Sequence, residues 1–200
     1  MSADAVKSFV RSASLVRNKF PISTSLSAWQ NPIEDHFRQQ AAFLTIDLND
    51  IWSAFCRQLV VENAIGRAVD LAGQPIIPTS RFRDPASVLS AVSNRRGYEP
   101  RWHQAREAVE AERKCRSNKS SQITAALFSA NSPAPYINTI RNYFCHRRSD
   151  CQLSLQVHQY YHHSMQFCAF RIANFPRSDG RRTFEFWIDE LTNIAIACSN

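Results

Sequence analysis

Apolar residues along this chain recur mainly at spacings of three and four, which keep them on one face of an α-helix. Asn31-Pro32 supplies a cap and a first-turn proline, and from there a helical pattern runs to about Leu71. Within it Ile51, Trp52, Phe55, Leu59, Ala64 and Ile65 form a broad stripe suited to a bundle core. Asp47, Asn49 and Asp50 predict a break or kink in that helix. Gly73 to Arg83, with Pro75 and Pro78, reads as a connection. Asp84-Pro85 starts a short helix that ends before Gly97, and Pro100 opens a charged helix reaching about Arg116. After the polar break Ser117–Ser121 a further short helix leads to Asn131.

Asn131-Ser132-Pro133 is another helix start, with Ser132 at the N-cap and Pro133 at the first helical position. The helix continues through Ile137, Ile140 and Phe144, which would pack inward. Cys151 to Tyr161 fits either strand alternation (Leu153, Leu155, Val157) or a helix (Leu153, Val157, Tyr160, Tyr161). The helix is favoured, because an isolated strand in a bundle leaves its backbone groups unpaired. Gln166 to Phe175 is expected to be short and extended or irregular, and Ser178-Asp179-Gly180 a turn. Thr183 to about Cys198 is the closing helix, with Phe184, Trp187, Ile188, Leu191, Ile194 and Ile196 as its apolar residues. The serine-rich residues up to about Gln30 read as a flexible, loosely attached N-terminal arm, with room for a short helix within Ala3–Val16. The expected organisation is an extension over 1–30 followed by one helical domain over 31–200, with no internal repeat.

Composition supports an all-α class: 200 residues, 44% of them hydrophobic and only 4 of them glycine. The net charge of +7 makes an acidic partner plausible. Its basic residues, mostly arginine, gather at Arg95-Arg96, Arg101, Arg113-Lys114, Arg116, Arg147-Arg148 and Arg181-Arg182. Such pairs either contact phosphate or form a solvated surface. Neither the N-terminus nor any later segment has the continuous apolar run of a secretion signal or membrane span. The 6 cysteines show no paired C-x-x-C spacing, so reduced thiols and a cytoplasmic location are the expectation.

The chemistry concentrates in Ile140-Arg141-Asn142-Tyr143-Phe144-Cys145-His146-Arg147-Arg148. Cleaving RNA without a metal needs a group that moves a proton near neutral pH and a fixed cation for the crowded phosphorus. Imidazole suits the first task and guanidinium the second. Spacing alone is weak, since about two Arg-x(4–6)-His matches arise by chance in a chain this rich in arginine. Arg96 and His103 make another, in a stretch broken by Gly97 and Pro100. Asn142 and His146 are four apart and share a helix face, so the amide could orient the imidazole. Arg141 lies about 140° round the helix from His146; it could bend back, although a symmetry-related second helix would close the site more easily. A histidine that merely caps a helix end accounts for the spacing equally well.

Ala126-Leu127-Phe128-Ser129-Ala130-Asn131-Ser132-Pro133, followed by Ile140 to Arg147, resembles the HEPN superfamily, most closely its bacterial RiboL-PSP-HEPN branch. There an Asn-Ser-Pro helix start leads to an Arg-Asn-aromatic-aromatic-Ala-His-Arg core. Phe186-Trp187-Ile188-Asp189-Glu190-Leu191 is similar to that branch's closing helix. The resemblance runs from about Ile33 onward, but only these segments are specific. It implies a HEPN-like helical bundle, usually dimeric, and metal-independent endoribonuclease activity at the dimer groove. Carried across, it makes Arg141 and His146 catalytic, with Asn142 the polar residue beside the arginine. Cys145 replaces a common alanine. The tyrosine two residues after the histidine in nucleotidylated HEPN toxins is missing, which argues against control by that route.

The expected function is therefore a metal-independent ribonuclease of toxin or phage-defence type, with no cofactor and no metal. RNA is its substrate, Arg147 and Arg148 hold the RNA backbone, and a homodimer is expected. An antitoxin or defence-system protein is a further possible partner, and no membrane is involved. The alternative is a non-catalytic HEPN module that binds RNA, nucleotide or a partner protein. Other readings of the same residues are weaker. Cys145, Cys151, His158 and His162 resemble a two-Cys, two-His zinc set, but Cys151 and His158 are too close for the usual finger. Tyr160-Tyr161-His162-His163 is either a packing seam or a platform for unpaired bases. Trp102, beside His103, reads as core. Cys145 has no activating base other than His146, which argues against a nucleophilic role.

Overall fold

The computed structural model describes residues 2–20, 35–79, 82–94, 96–146 and 169–200. Among them the chain forms eight α-helices and no strand: α1 (Ser2–Lys19), α2 (Asp35–Ala64), α3 (Pro85–Val92), α4 (Ala105–Cys115), α5 (Ser120–Leu127), α6 (Ala134–His146), α7 (Ala169–Asn174) and α8 (Thr183–Ala197). The protein is all-α at this level, as its periodicity predicts. Residues 21–34 and the ambiguous segment from Cys151 to Tyr161 lie outside the described residues.

α2 is the central element, packed against α1, α3, α4, α6 and α7. Ala41, Leu44, Leu48, Trp52, Phe55 and Leu59 recur at intervals of three and four, and all are buried. The expected break at Asp47, Asn49 and Asp50 does not occur. Leu48 and Asn49 are buried between neighbouring helices, and that tertiary burial outweighs the modest helix preference of Asp and Asn. The helix ends at Ala64 rather than near Leu71 because Gly66 turns it with φ +69°. The Gly66 N–H donates to the Asn63 carbonyl and the Arg67 N–H to that of Glu62, the paired bonds of a Schellman stop.

The flexible-arm reading fails for residues 2–20. Ala5, Phe9, Ala13, Val16 and Phe20 face the core at spacings of three and four, and α1 packs on both α2 and α8. Phe9 meets Trp52 edge-on at 5.7 Å between ring centroids, Phe20 stacks on Phe184 at 3.8 Å, and Arg17 pairs with Asp189. Rings this well buried on both sides tie α1 into the same core as the rest of the chain.

Local chemistry sets the other boundaries. Asp84 caps α3 by accepting from the Ser87 N–H at 2.8 Å, with Pro85 in the first turn. α4 starts at Ala105 rather than Pro100, because the Glu107 carboxylate accepts from the Arg101 N–H at 2.6 Å and holds the preceding residues in turns. α6 begins one residue late: the Pro133 carbonyl accepts the first helical bond, from Ile137 at 3.1 Å. The segment expected to be irregular contains α7, which buries Ile172 and Ala173 against α2 and α8. The turn at Ser178-Asp179-Gly180 and the closing helix, here α8, fall where the sequence puts them. In α8 Glu185 accepts from the Arg182 N–H at 2.9 Å, Trp187 and Leu191 are fully buried, and Ile196 is exposed.

Glu112 on α4 is fully buried, and its Oε1 accepts from Ser117 Oγ at 2.7 Å and Ser120 Oγ at 2.9 Å. Burial pushes its carboxyl above the usual range, and these hydroxyls offset only part of the shift. The folded state then holds this proton more tightly than the unfolded chain, so the group costs stability as pH rises from the ordinary carboxylate range through its raised value. Glu112→Gln keeps the acceptor and removes the charge. Its melting temperature should exceed that of the wild type at pH 8, with the gain vanishing near pH 4 on thermal scans. Leu59→Ala, a fully buried truncation, should by contrast destabilise by about 2–5 kcal/mol at either pH in urea titrations.

Candidate functional site

α6 is oriented by what it buries. Ile137 and Ile140 are buried in the core and Phe144 packs against it, with α2 as the supporting helix. The positions between them turn outward, leaving Arg141 and Asn142 half-buried at the rim and His146 exposed in the last turn. The arginine bends back along its own helix. Its Nη1 donates to Asn142 Oδ1 at 3.2 Å and lies 3.4 Å from His146 Nε2. A guanidinium can only donate, so this contact is a hydrogen bond when the imidazole is neutral and carries its proton on Nδ1. The pair therefore closes within one chain. Asn142, expected to orient the imidazole, holds the guanidinium instead.

Several other basic residues are occupied. Arg101 pairs with Glu107, Arg106 with Glu110 at 3.0 Å, and Arg181 with Asp179 at 2.7 Å and Asp189 at 3.2 Å. Lys114 donates to backbone carbonyls of Ala91 and Val92. These groups fit the solvated-surface reading better than the phosphate-contact one. Among the described residues no carboxylate pairs with Arg141, and its Nε, like that of Arg171, is buried without a hydrogen-bond partner. A guanidinium that no carboxylate neutralises suits a phosphate oxygen.

Packing also brings up a residue that the sequence gave no reason to place here. His103 is half-buried in the loop between α3 and α4, next to the buried Trp102. That loop is pinned: Glu99 accepts from Trp102 Nε1 at 3.0 Å and from Arg57 Nε of α2 at 2.8 Å. Burial is the main force holding the His103 imidazole below its usual range. The charges of Arg141 and Arg101 act in the same direction, against the smaller opposing pull of Glu107 and Asp50. Arg101 and Glu107 also line a cleft of about 410 Å³ together with Tyr98, Gln104 and Lys114. Nothing in the local sequence links His103 to Arg141; only the packing of α4 and α6 on α2 does.

Arg147, Arg148, Cys151, His158, His162 and the Tyr160–His163 cluster lie outside the described residues, and Cys145 is exposed and unpaired. Among the described residues no three His, Cys, Asp or Glu side chains gather as a metal site, and no helix is long and apolar enough to cross a membrane. No family model, curated protein or solved structure matches this chain.

The Asn142 contact makes a specific forecast. Asn142→Asp would place a carboxylate on the guanidinium and neutralise the free cation, whereas Asn142→Ala only loosens it. If the guanidinium takes a phosphate, titrations with inorganic phosphate should show Asn142→Asp weakening binding more than Asn142→Ala does.

Proposed function

We propose that this protein is a HEPN-type, metal-independent endoribonuclease of toxin or phage-defence kind, acting on RNA in the cytoplasm from the groove of a homodimer. The observation that carries this reading is the meeting of Arg141 Nη1 and His146 Nε2 at 3.4 Å, with the arginine free of any carboxylate among the described residues. Around a ribose and its 3′-phosphate, these groups have distinct tasks. As Arg141 turns from His146 Nε2 to the phosphate, that nitrogen takes the 2′-hydroxyl proton while O2′ attacks the adjacent phosphorus. Arg141 neutralises the charge gathering on the phosphorane oxygens. Asn142 keeps the guanidinium in place. The P–O5′ bond then breaks, the departing oxygen takes up a proton, and the products are a 2′,3′-cyclic phosphate and a 5′-hydroxyl.

A two-fold axis beside α6 would use one surface twice and set two such sites along a shared groove. The flank Arg147-Arg148 would double with it and hold the RNA backbone. An antitoxin or defence-system protein would be the restraining partner.

His146→Ala and Arg141→Ala should each lower RNA cleavage by about 10²–10⁴-fold, from the usual worth of a proton-transfer group or a charge-stabilising donor. Both should leave far-UV circular dichroism unchanged, because neither side chain is part of the apolar seam. Asn142→Ala should lose less. Full activity in His146→Ala would overturn the assignment. Cleavage should persist in EDTA, stop when the ribose at the cut is replaced by deoxyribose, and weaken steeply with salt. Sedimentation should give a dimer; a fully active monomer would contradict the groove.

A further inference from the structure

Arg141 reaches His146 against the tilt of its own helix. In an α-helix the Cα–Cβ bonds lean toward the N-terminus, so a long side chain naturally lies over the turn before it. For Arg141 on α6 that turn carries Asn138, three residues back. Residues at this spacing are neighbours on the helix surface, about 5–6 Å apart between Cβ atoms. The meeting of Nη1 with His146 Nε2 at 3.4 Å instead carries the arginine five residues forward, toward the C-terminus.

That forward reach leaves two complementary atoms unsatisfied. Arg141 Nε is a donor and Asn138 Oδ1 an acceptor; both are buried, and neither has a hydrogen-bond partner. A buried polar atom without a partner raises the free energy of the state that holds it. Because the two atoms belong to neighbouring side chains, one turn of the arginine back over Asn138 satisfies both. Asn138 and Asn142 are four apart and share a helix face. Two amide oxygens therefore flank the guanidinium: Asn142 Oδ1 holds Nη1 at 3.2 Å, and Asn138 Oδ1 is unused.

We propose that Asn138 is a positioning residue, which accepts from Arg141 Nε when the guanidinium turns from His146 to a phosphate. This rests on the ribonuclease reading above. A guanidinium on Nε2 occupies the lone pair with which His146 takes a proton. In the turned state the Nε–H goes to Asn138, the imidazole is free, and the remaining N–H groups face the phosphate. The bond to Asn138 offsets the lost contact with His146, so the arriving anion decides which state prevails. One movement of one side chain both presents the cation and releases the base.

The test uses the full chain and a short RNA that the wild type cuts at one bond. A copy with 2′-deoxyribose at that bond is the uncleavable probe. Asn138→Ala should slow cleavage, and weaken binding of the probe, by about 10–100-fold, from the usual worth of a hydrogen bond to a charged group. In an Arg141→Ala background the same substitution should change probe binding by less than about twofold, because its partner is already gone. An equal loss in both backgrounds would reduce Asn138 to a structural part and overturn the role. Wild-type cleavage by Asn138→Ala would overturn it too. Wild-type protein that cuts no RNA would overturn the ribonuclease reading and this role with it. Should Asn138→Ala not fold, a crystal structure of the wild type with the probe decides. Arg141 Nε should lie within about 3.2 Å of Asn138 Oδ1, with Nη1 withdrawn from His146. An arginine still on His146 beside a bound phosphate would refute the proposal.

Discussion

The burial of α2 is the constraint from which the rest of the structure follows. A helix of 30 residues extends roughly 45 Å, and it cannot remain in water with Trp52, Phe55, Leu59 and Val60 along its length. Covering it takes helices from both ends of the chain: α1 from the N-terminus, α6 from the middle and α7 from the last third. Each covering helix is therefore fixed in rotation by the apolar residues it supplies. For α6 those are Ile137 and Ile140, and once they point inward, positions 141 and 142 must come out at the rim. The candidate site is thus a by-product of core packing, held as firmly as the core itself.

Electrostatics then sets Arg141 apart from the arginines that are paired with carboxylates. A protein with a net charge of +7 has many cations to offer an anion, yet several of those described are neutralised by nearby carboxylates. Exposed pairs such as Arg106–Glu110 contribute little energy. A half-buried guanidinium that donates only to an amide and an imidazole retains its full charge in a medium less screening than water. A bound phosphate would recover more from that single group than from several paired ones.

Legibility in the sequence followed locality. α3 and α8 are readable because their signals lie within a few residues of each other: Asp84-Pro85 at the start of α3, and the turn Ser178-Asp179-Gly180 ahead of Phe184, Trp187 and Leu191 in α8. The Arg141–His146 contact was half-legible, since spacing places both on one helix but cannot say that the arginine bends back. α1 was misread although Ala5, Phe9, Ala13, Val16 and Phe20 carry a helical period. Alanines make a weak apolar signal, and the surrounding serines outweighed it. The Asp47–Asp50 break was wrong for the opposite reason, because a propensity argument met a helix buried on many sides. His103 stands out in the sequence only through its match with Arg96, not through Arg141. Its relation to Arg141 exists only after α4 and α6 settle on the same helix, and no local pattern records that.

Closure of the Arg141–His146 contact inside one chain also changes what a second copy would contribute. Were the pair to form only across a two-fold axis, chemistry and assembly would be one event, and every variant that weakened the dimer would lose the reaction. With the pair closed in cis, both proposed reacting groups would belong to α6. A partner copy would instead supply length, extending the basic flank along the RNA. Those two contributions have different physical signatures. Groove length sets how many counterions are released on binding, and so the dependence on salt. Under the proposed reading the imidazole and the guanidinium would set the rate once RNA is bound, and a low-dielectric rim would screen them far less from salt. In such an arrangement assembly governs which RNA is held and for how long, while the fold of the single chain governs whether it is cut.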